Sequence, residues 1–385
     1  MLLRNIHYAL MNALLLLNTC VLLVGGSALW LGFVAAFLIS TLVDEAAGED
    51  VSVHEAASRH FLDLMLFLTL PLVTFNLLAL VLLFGTGPSL GLVSLANTVG
   101  LDIEAARAAS SFWDLVGALL GTGLFIGAAA TNVAHELVHR THSPLALLTG
   151  RWLLAFSFDT TFSIEHVHGH HRHVGTSADP ATARRGEHPF AFCLRSILQG
   201  NRSAWRIERE RLARKALPAF SVSNRVFTGQ TMSAALLVMA YAISGGWGCF
   251  AFVIAGIQGK LYLELVNFIE HYGLVRVPGG RIEARHSWNT YKVITSGMLY
   301  NLPRHSHHHM FASKPFWTLQ EEPDGPRYPH GYMTMILISL VPPLWNRTVD
   351  PLLADWDAIS ASPAERAILI DAGCLSRKSL LQAAE

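Results

Sequence analysis

The hydrophobic positions of this chain are gathered in long, nearly uninterrupted runs, which is the pattern of membrane-spanning helices. One crossing needs about 20 apolar residues, and the first run, residues 9–42, is too long for one helix and has Gly25-Gly26 at its middle. We therefore predict two helices joined by a tight turn at these glycines, and a second such turn at residues 244–246. The whole pattern predicts six spans, over residues 9–25, 26–42, 61–84, 112–133, 228–243 and 247–268.

The distribution of charged residues predicts how these spans are oriented across the membrane. Six spans leave both termini on one side, and the opposite side then holds only the two glycine turns and residues 85–111. Of the 28 Lys and Arg residues, all but Arg107 and Lys260 fall on the side of the termini. The positive-inside rule places that side in the cytoplasm. A shorter apolar stretch, residues 145–158, contains Arg151 and is expected to lie at the membrane interface.

Composition argues against several classes of protein. Only 15% of the residues are charged and 52% are hydrophobic, whereas soluble domains carry about 25% charged residues. Lys+Arg and Asp+Glu balance at 28 each, so the net charge gives no indication of a nucleic-acid partner, and none is expected. The four cysteines form no CxxC pair, which argues against a fused rubredoxin, a zinc ribbon or a disulfide framework.

The predicted fold is an all-α membrane protein, a six-helix transmembrane bundle with a histidine-rich cap on the cytoplasmic side. Residues 1–349 are expected to form a single integral-membrane domain. Residues 350–385 are polar enough to form a solvated C-terminal tail or a short helix.

Histidine is the most unusual feature of the composition, because most of the 19 histidines fall in a few short segments. The first segment, His135-Glu136-Leu137-Val138-His139, closes the fourth span. Residues four apart lie on one face of a helix, so His135 and His139 can reach one metal ion. Alone, this string is also the HExxH motif of zinc metalloproteases, in which the glutamate is the general base.

Three further segments make a single zinc site a poor explanation. Residues 165–173 contain five histidines, residues 304–309 contain four, and His271 follows Glu270 where the sixth span ends. All of them fall on the same predicted side of the membrane as His135. A catalytic zinc uses three protein ligands, so this surplus indicates a dinuclear site. Imidazole binds zinc, copper, iron and nickel, and the ligand type alone therefore leaves the metal open.

The histidine segments resemble those of a known family. Residues 135–139, 165–172, 267–274 and 304–309 look like the histidine boxes of the bacterial alkane 1-monooxygenases, and the stretch from Thr176 through Asp179-Pro180 to Arg184 is similar too. That family belongs with the xylene monooxygenases and membrane desaturases in one histidine-box superfamily. The resemblance covers residues 131–319 well and the preceding spans only in layout. The residues that flank the boxes favour the hydroxylases over the acyl desaturases.

The resemblance implies a metal site with nine ligands, two iron ions that alternate between Fe2+ and Fe3+, and O2 as co-substrate. It also implies a hydrocarbon tunnel within the bundle and a location in the inner (cytoplasmic) membrane of a bacterium. The implied ligands are His135, His139, His166, His170, His171, His271, His305, His308 and His309. Three positions depart from the family pattern, since His168, His173 and His307 stand where the family usually has Arg, Asp and Asp.

Four carboxylates near the implied ligands are candidates for orienting them or for balancing the charge of the site. They are Glu136, Glu165, Glu270 and Asp179. The alternative for each glutamate is that its side chain points off the other side of its helix.

Metal-dependent hydroxylation needs electrons, and the sequence contains no flavin, haem or iron–sulfur motif. We therefore expect a separate electron carrier, a rubredoxin or ferredoxin served by an NAD(P)H reductase. The second half of the loop between the fourth and fifth spans is strongly basic and suits either an acidic carrier or anionic lipid headgroups. Its basic residues are Arg184, Arg185, Arg195, Arg202, Arg206, Arg209, Arg211, Arg214 and Lys215.

The spans, the boxes and the resemblance together predict a membrane non-haem di-iron monooxygenase. The expected reaction is terminal hydroxylation of a medium-chain n-alkane to a 1-alkanol, with the substrate taken from the lipid bilayer. Three other activities remain open: a xylene-type aryl-methyl monooxygenase, a fatty-acyl desaturase or hydroxylase, and a membrane zinc metalloprotease. A metal-binding membrane protein without catalysis is a fourth alternative.

Overall fold

In the computed structural model, which describes residues 2–52 and 58–376, the chain is predominantly helical and forms no β-strand within these ranges. Five of the described helices are long and apolar enough to cross a membrane. They are α1 (Asn5–Val24), α2 (Gly26–Ala47), α3 (Arg59–Phe84), α4 (Phe112–His139) and α8 (Arg225–His271). Between α4 and α8 lie α5 (Pro144–Ala155), α6 (residues 162–173) and α7 (Pro189–Ala213). After α8 come α9 (Val293–Met298), α10 (His305–Met310), α11 (Tyr332–Ser339), α12 (Pro342–Asp355) and α13 (Pro363–Asp371).

Helix α8 reverses direction near its middle. Gly245 has a φ of +69° inside this 47-residue helix. Cys249 Sγ lies 3.8 Å from the carbonyl oxygen of Leu237, twelve residues earlier, whereas the two would be about 18 Å apart along a straight helix. Helix α8 therefore consists of two antiparallel segments, and the break falls at the predicted glycine turn. The all-helical fold is confirmed, and the count of six spans stays a prediction.

The other glycine turn is equally tight. Gly25 ends α1 with a φ of +75°, and a Cβ atom there would lie 2.3 Å from the carbonyl oxygen of Ala106. A side chain at this position would therefore push the α1–α2 turn away from the short helix Ile103–Ala108.

Polar side chains inside the bundle pair across helices. Asn12 donates to the carbonyl oxygen of Met65 at 2.8 Å, and Thr69 donates to Asn12 at 3.0 Å. About two helical turns of α1 further along, Asn76 donates to Thr19 at 3.0 Å. Buried polar groups are costly in hydrocarbon unless they are hydrogen-bonded. These pairs therefore fix the rotation of α1 against α3.

The two ends of the bundle differ in character. At one end, residues 85–111 meet both glycine turns, since the backbone N–H of Gly26 donates to Ser110 and that of Gly87 to Ser244. At the other end, the spans meet the cap, by which we mean residues 140–224 and 272–376. Asp44 of α2 accepts a hydrogen bond from the Thr295 amide at 2.9 Å. The histidine segments all lie at the cap end, as the span pattern predicted.

The last part of the described chain packs on the cap. The predicted tail from residue 350 begins inside α12, and the buried Trp356 donates its indole N–H to the Arg285 carbonyl. Asp357 accepts two hydrogen bonds from the Arg185 guanidinium, at 2.6 and 2.7 Å. Through α13 the chain is therefore folded against other parts of the cap rather than fully solvated.

Candidate metal centre

The nine histidines singled out from the sequence converge into two adjacent groups at the cap end of the bundle. Within each group the candidate ligand nitrogens all lie within 4.8 Å of one another. The first group is His135, His139, His166, His171 and His308. The second group is His170, His271, His305 and His309, all of them buried. His171 and His309 bring the two groups together, with ring centroids 4.4 Å apart.

Helix α6 contributes to both groups because it widens. Residues 166–170 form a π-helical turn, in which residues five apart come onto the same face. His166 and His171 consequently share the first group, with their Nε2 atoms 3.1 Å apart. In a regular α-helix these two residues would point about 140° apart. His170 points to the second group, where its Nε2 lies 3.3 Å from that of His309.

Helix α10 lies between the groups and also serves both. His305 and His309 are one turn apart and join the second group, with Nε2 atoms 3.0 Å from each other. His308 turns the other way, and its Nε2 lies 3.1 Å from that of His171. His271, at the end of α8, reaches His305 at 3.0 Å. The lone histidine after the sixth predicted span is thus part of the second group.

The donor atoms fit a metal ion in each group. Two imidazole nitrogens bound about 2.1 Å from one metal and at right angles to each other lie about 3.0 Å apart, which is the spacing seen here. His135 Nε2 is buried and has no hydrogen-bond partner among the described residues. Burial and the neighbouring imidazoles hold the pKa values of His166 and His308 well below the usual range. Both are therefore neutral, which is the form that binds metals.

Asp179 contacts a predicted ligand directly. Its carboxylate lies 2.9 Å from His170 Nδ1 and accepts a hydrogen bond from Thr182 Oγ1 at 2.6 Å. Burial alone would raise the pKa of Asp179, but His170 and Thr182 outweigh it and lower the pKa. The ionised carboxylate holds the proton of His170 on Nδ1 and so leaves Nε2 free to face the second group.

Glu270 is the second carboxylate in contact with the histidines. Its Oε1 accepts a hydrogen bond from the Tyr332 hydroxyl at 3.0 Å and lies 3.4 Å from His305 Nδ1. Tyr332 is completely buried, and no sequence motif had drawn attention to it. Only the fold, which brings α11 across the end of α8, places the two side chains together.

The other two glutamates point elsewhere. Glu136 pairs with the Arg140 guanidinium at 3.1 Å, and Arg140 also reaches Asp63 at 2.6 Å. A general base in a zinc protease must face the metal-bound water, so this pairing argues against the metalloprotease alternative. Glu165 is buried with Oε1 unpaired among the described residues, and burial raises its pKa.

The three histidines that depart from the family pattern stay out of both groups. His168 is exposed and His173 is half-buried. His307 is buried, but its Nδ1 accepts a hydrogen bond from the Gln320 amide at 3.1 Å and its Nε2 lies 3.3 Å from Lys314. His307 therefore fixes the loop after α10.

An apolar cavity ends at the histidines. Its wall is almost entirely apolar and draws on α1, α2, α4, α8 and the cap, with Met11, Leu124, Phe125 and Leu263 among the lining side chains. His135, His166 and Glu270 close its inner end. A hydrocarbon in this cavity would lie against the first histidine group.

Comparison with protein families agrees with this geometry. The family model described as fatty acid desaturase matches residues 110–337, which include all nine histidines. The chain belongs to the fatty acid desaturase family. Within it, the chain is 38% identical over 273 residues to alkane 1-monooxygenase 1 of Pseudomonas aeruginosa, covering 68% of this chain and 71% of that relative.

Two further relatives have related names. Alkane 1-monooxygenase of Acinetobacter baylyi is 36% identical over 251 residues, covering 64% of this chain and 61% of that protein. The xylene/toluene monooxygenase hydroxylase component XylM of Pseudomonas putida is 28% identical over 350 residues, covering 90% of this chain and 89% of its own. The resemblance to the alkane hydroxylases is therefore confirmed, and the similarity to XylM is more distant but longer.

Proposed function

We propose that this protein is a membrane monooxygenase that converts a medium-chain n-alkane and O2 to a 1-alkanol. The observation that carries the proposal is the apolar cavity whose inner end is formed by His135 and His166. It joins a place for a hydrocarbon to a place for metal ions. The similarity to proteins named alkane 1-monooxygenase at 36–38% identity supports the substrate class.

Two iron ions, one in each histidine group, complete the proposal. The nine histidines named above would hold them. The all-nitrogen donor set suits iron but also zinc, copper and nickel, so the family resemblance supports iron. When bound, the iron would provide the O2 activation that attack on an unactivated C–H bond requires and that no side chain can provide.

The side chains of the protein would bind the hydrocarbon, exclude water and orient the histidines. The apolar wall binds the hydrocarbon and excludes water from the reacting carbon. Asp179 orients His170, and Glu270 lies between Tyr332 and His305. If an extended chain enters the cavity with one end toward His135 and His166, that end would reach the first histidine group before any internal carbon. Terminal hydroxylation follows from that arrangement.

The electrons would come from a rubredoxin or ferredoxin and its NAD(P)H reductase. The four cysteines Cys20, Cys193, Cys249 and Cys374 are far apart in sequence and all are free. A groove along α7 with Arg202, Arg206 and Arg209 on its wall is a candidate surface for an acidic carrier or for anionic lipid headgroups. Purified protein should be inactive with NAD(P)H alone and recover turnover when carrier and reductase are added.

The proposed location is the inner membrane of a bacterium, with both termini and the cap in the cytoplasm. The distribution of Lys and Arg supports this orientation. A reporter fused to the C-terminus should be active only in its cytoplasmic form. Activity only in the periplasmic form would overturn the orientation.

The reaction itself is tested by gas chromatography of products from cells that express the chain and are fed n-alkanes, alkylbenzenes and fatty acids. Terminal alcohols from n-alkanes are expected, together with two irons per chain by metal analysis. Benzylic alcohols alone would favour the second candidate, an aryl-methyl hydroxylase, to which the 350-residue similarity to XylM points. New double bonds in acyl chains would indicate a desaturase, and a single zinc would contradict the proposal.

A further inference from the structure

A second cavity, of opposite character, lies behind the first histidine group. It lies between α6, α7 and α8. Its lining includes the side chains of Asp159, Thr161, Asn201, Lys260 and Glu264, all of them polar or charged. We call it the polar cavity. Nothing in the proposed binding of a hydrocarbon uses it.

One charged group of the polar cavity is a lysine inside a spanning helix. Lys260 Nζ lies 2.5 Å from Asp159 and 2.5 Å from Glu264. Thr161 then donates to the other oxygen of Asp159 at 3.0 Å and also lies 3.4 Å from Asn201. Polar groups therefore follow one another from α8 to α7 without an apolar interruption.

The polar cavity runs from the surface of the cap to the histidines. At its outer end Gly200 and Asn201 are half-buried, and Asn201 also lines the arginine-rich groove on α7. At its inner end it reaches His166. Of the residues that the structure describes, Phe162, His166 and Asn267 line both this cavity and the apolar one, so these three side chains separate the two spaces.

The proposed reaction needs such a second route. Oxidation of R–H with O2 and two electrons also consumes two protons and releases ROH and one water, because one oxygen atom enters the C–H bond and the other leaves as water. Protons and water cannot move through a wall of apolar side chains without a large desolvation cost. The polar side chains of this second cavity provide the hydrogen-bonding partners that a buried water needs.

We propose that the polar cavity is the route by which protons reach the metal centre and product water leaves it, separate from the cavity that takes the hydrocarbon. The role of the path in the reaction rests on the proposed function, whereas the access of water to the polar cavity does not. Thr161, Asn201 and the Lys260 cluster order the water, and Phe162 and Asn267 keep it from the hydrocarbon. The competing explanation is that Lys260 only ties α8 to the cap, in which case the cavity is closed to solvent.

The first test measures access of water without any turnover. Ser196→Cys, at a buried position that lines the polar cavity, is introduced into the full-length chain after its four native cysteines are replaced. The matched control is Ser339→Cys, which is buried but lines neither cavity. The probe is the small anionic thiol reagent 2-sulfonatoethyl methanethiosulfonate, applied to membranes.

Ser196→Cys should react at least about tenfold faster than Ser339→Cys, because the control is reached only through local unfolding. If Ser196→Cys fails to insert, Ile197→Cys, at a half-buried position of the same wall, replaces it. Equal rates at the cavity and control positions would overturn the proposal. This outcome does not depend on the substrate, so it is distinct from a failure of the proposed function.

The second test asks whether protons use the path. Thr161→Val removes the hydroxyl between Asp159 and Asn201 while keeping its shape, and Thr149→Val is the control at a buried position outside both cavities. Thr161→Val should release more hydrogen peroxide per NAD(P)H and show a larger solvent deuterium isotope effect, with KM for the alkane and iron content unchanged. The same peroxide yield and isotope effect as Thr149→Val would show that protons take another route.

Discussion

His166 Nε2 lies 3.1 Å from His171 Nε2, although the two residues are five apart in one helix. The π-helical turn between them brings both to the first histidine group and leaves His170 to the second. A single short segment thereby contributes to both candidate metal sites, and the two groups cannot move apart without breaking that turn.

His271→Ala should remove a predicted ligand from the second group and leave three histidines there. We expect the iron content per chain to fall by about half and hydroxylation to be lost, since a metal site that lacks a ligand binds far more weakly. Metal analysis and product assays on membranes check both effects, and His142→Ala, at an exposed position outside both groups, is the control. Two irons and normal turnover in His271→Ala would make His271 a structural residue at the end of α8.

His307→Asp should keep both irons, because His307 contacts Gln320 and Lys314 and lies outside both groups. An aspartate can accept from the same two donors, so we expect only a moderate change in turnover. Measurement of the iron content per chain tests this prediction. Loss of one iron would show that His307 binds metal and that the assignment by histidine box is wrong.

Asp179→Asn removes the charge beside His170 but keeps the shape of the side chain. Loss of a carboxylate behind a ligand histidine typically weakens metal affinity about 10–100-fold, and we expect an effect of that order. Competition with a graded series of chelators measures it, with Asp350→Asn at an exposed position as the control. An unchanged affinity would mean that Asp179 only holds the loop through Thr182.

Glu365→Gln should destabilise the packing of α13 on the cap. Burial would raise the pKa of Glu365, but His286, Ser362 and Arg285 outweigh it and lower the pKa from 4.5 to about 2. A lowered carboxyl pKa stabilises the folded state fully above the unfolded value, and the stabilisation is lost as the pH falls toward the folded value. Thermal unfolding in detergent should therefore show a constant difference from wild type between pH 8 and 6 that shrinks below about pH 4.5. An equal melting temperature at pH 7, with Glu104→Gln as the exposed control, would contradict this role.

The sequence predicted which residues form the site better than it predicted which of them contact one another. His135 and His139 could be paired because a four-residue spacing determines which helix face they share. The division of His170 and His171 between two groups could not be predicted, since it depends on a local widening of α6 that no residue pattern announces. The family resemblance, more than its spacing, identified His271.

Contacts between segments that are distant in the chain could not be predicted from the sequence either. Glu270 and Tyr332 are 62 residues apart and meet only because α11 crosses the end of α8. The chain after residue 349 was expected to be a solvated polar tail or a short helix, because the sequence shows its charged residues but not their partners. Asp357 and Glu365 are paired by Arg185 and Arg285, which lie far away in sequence.

The two histidine groups differ in exposure, since His139 and His171 of the first group are half-buried and every member of the second is buried. Ions in the two positions would therefore exchange with the medium at different speeds. A chelator would therefore remove an ion from the first position faster than from the second. Loading in the cell would follow the same kinetic order, with the first position filled and emptied more readily than the second.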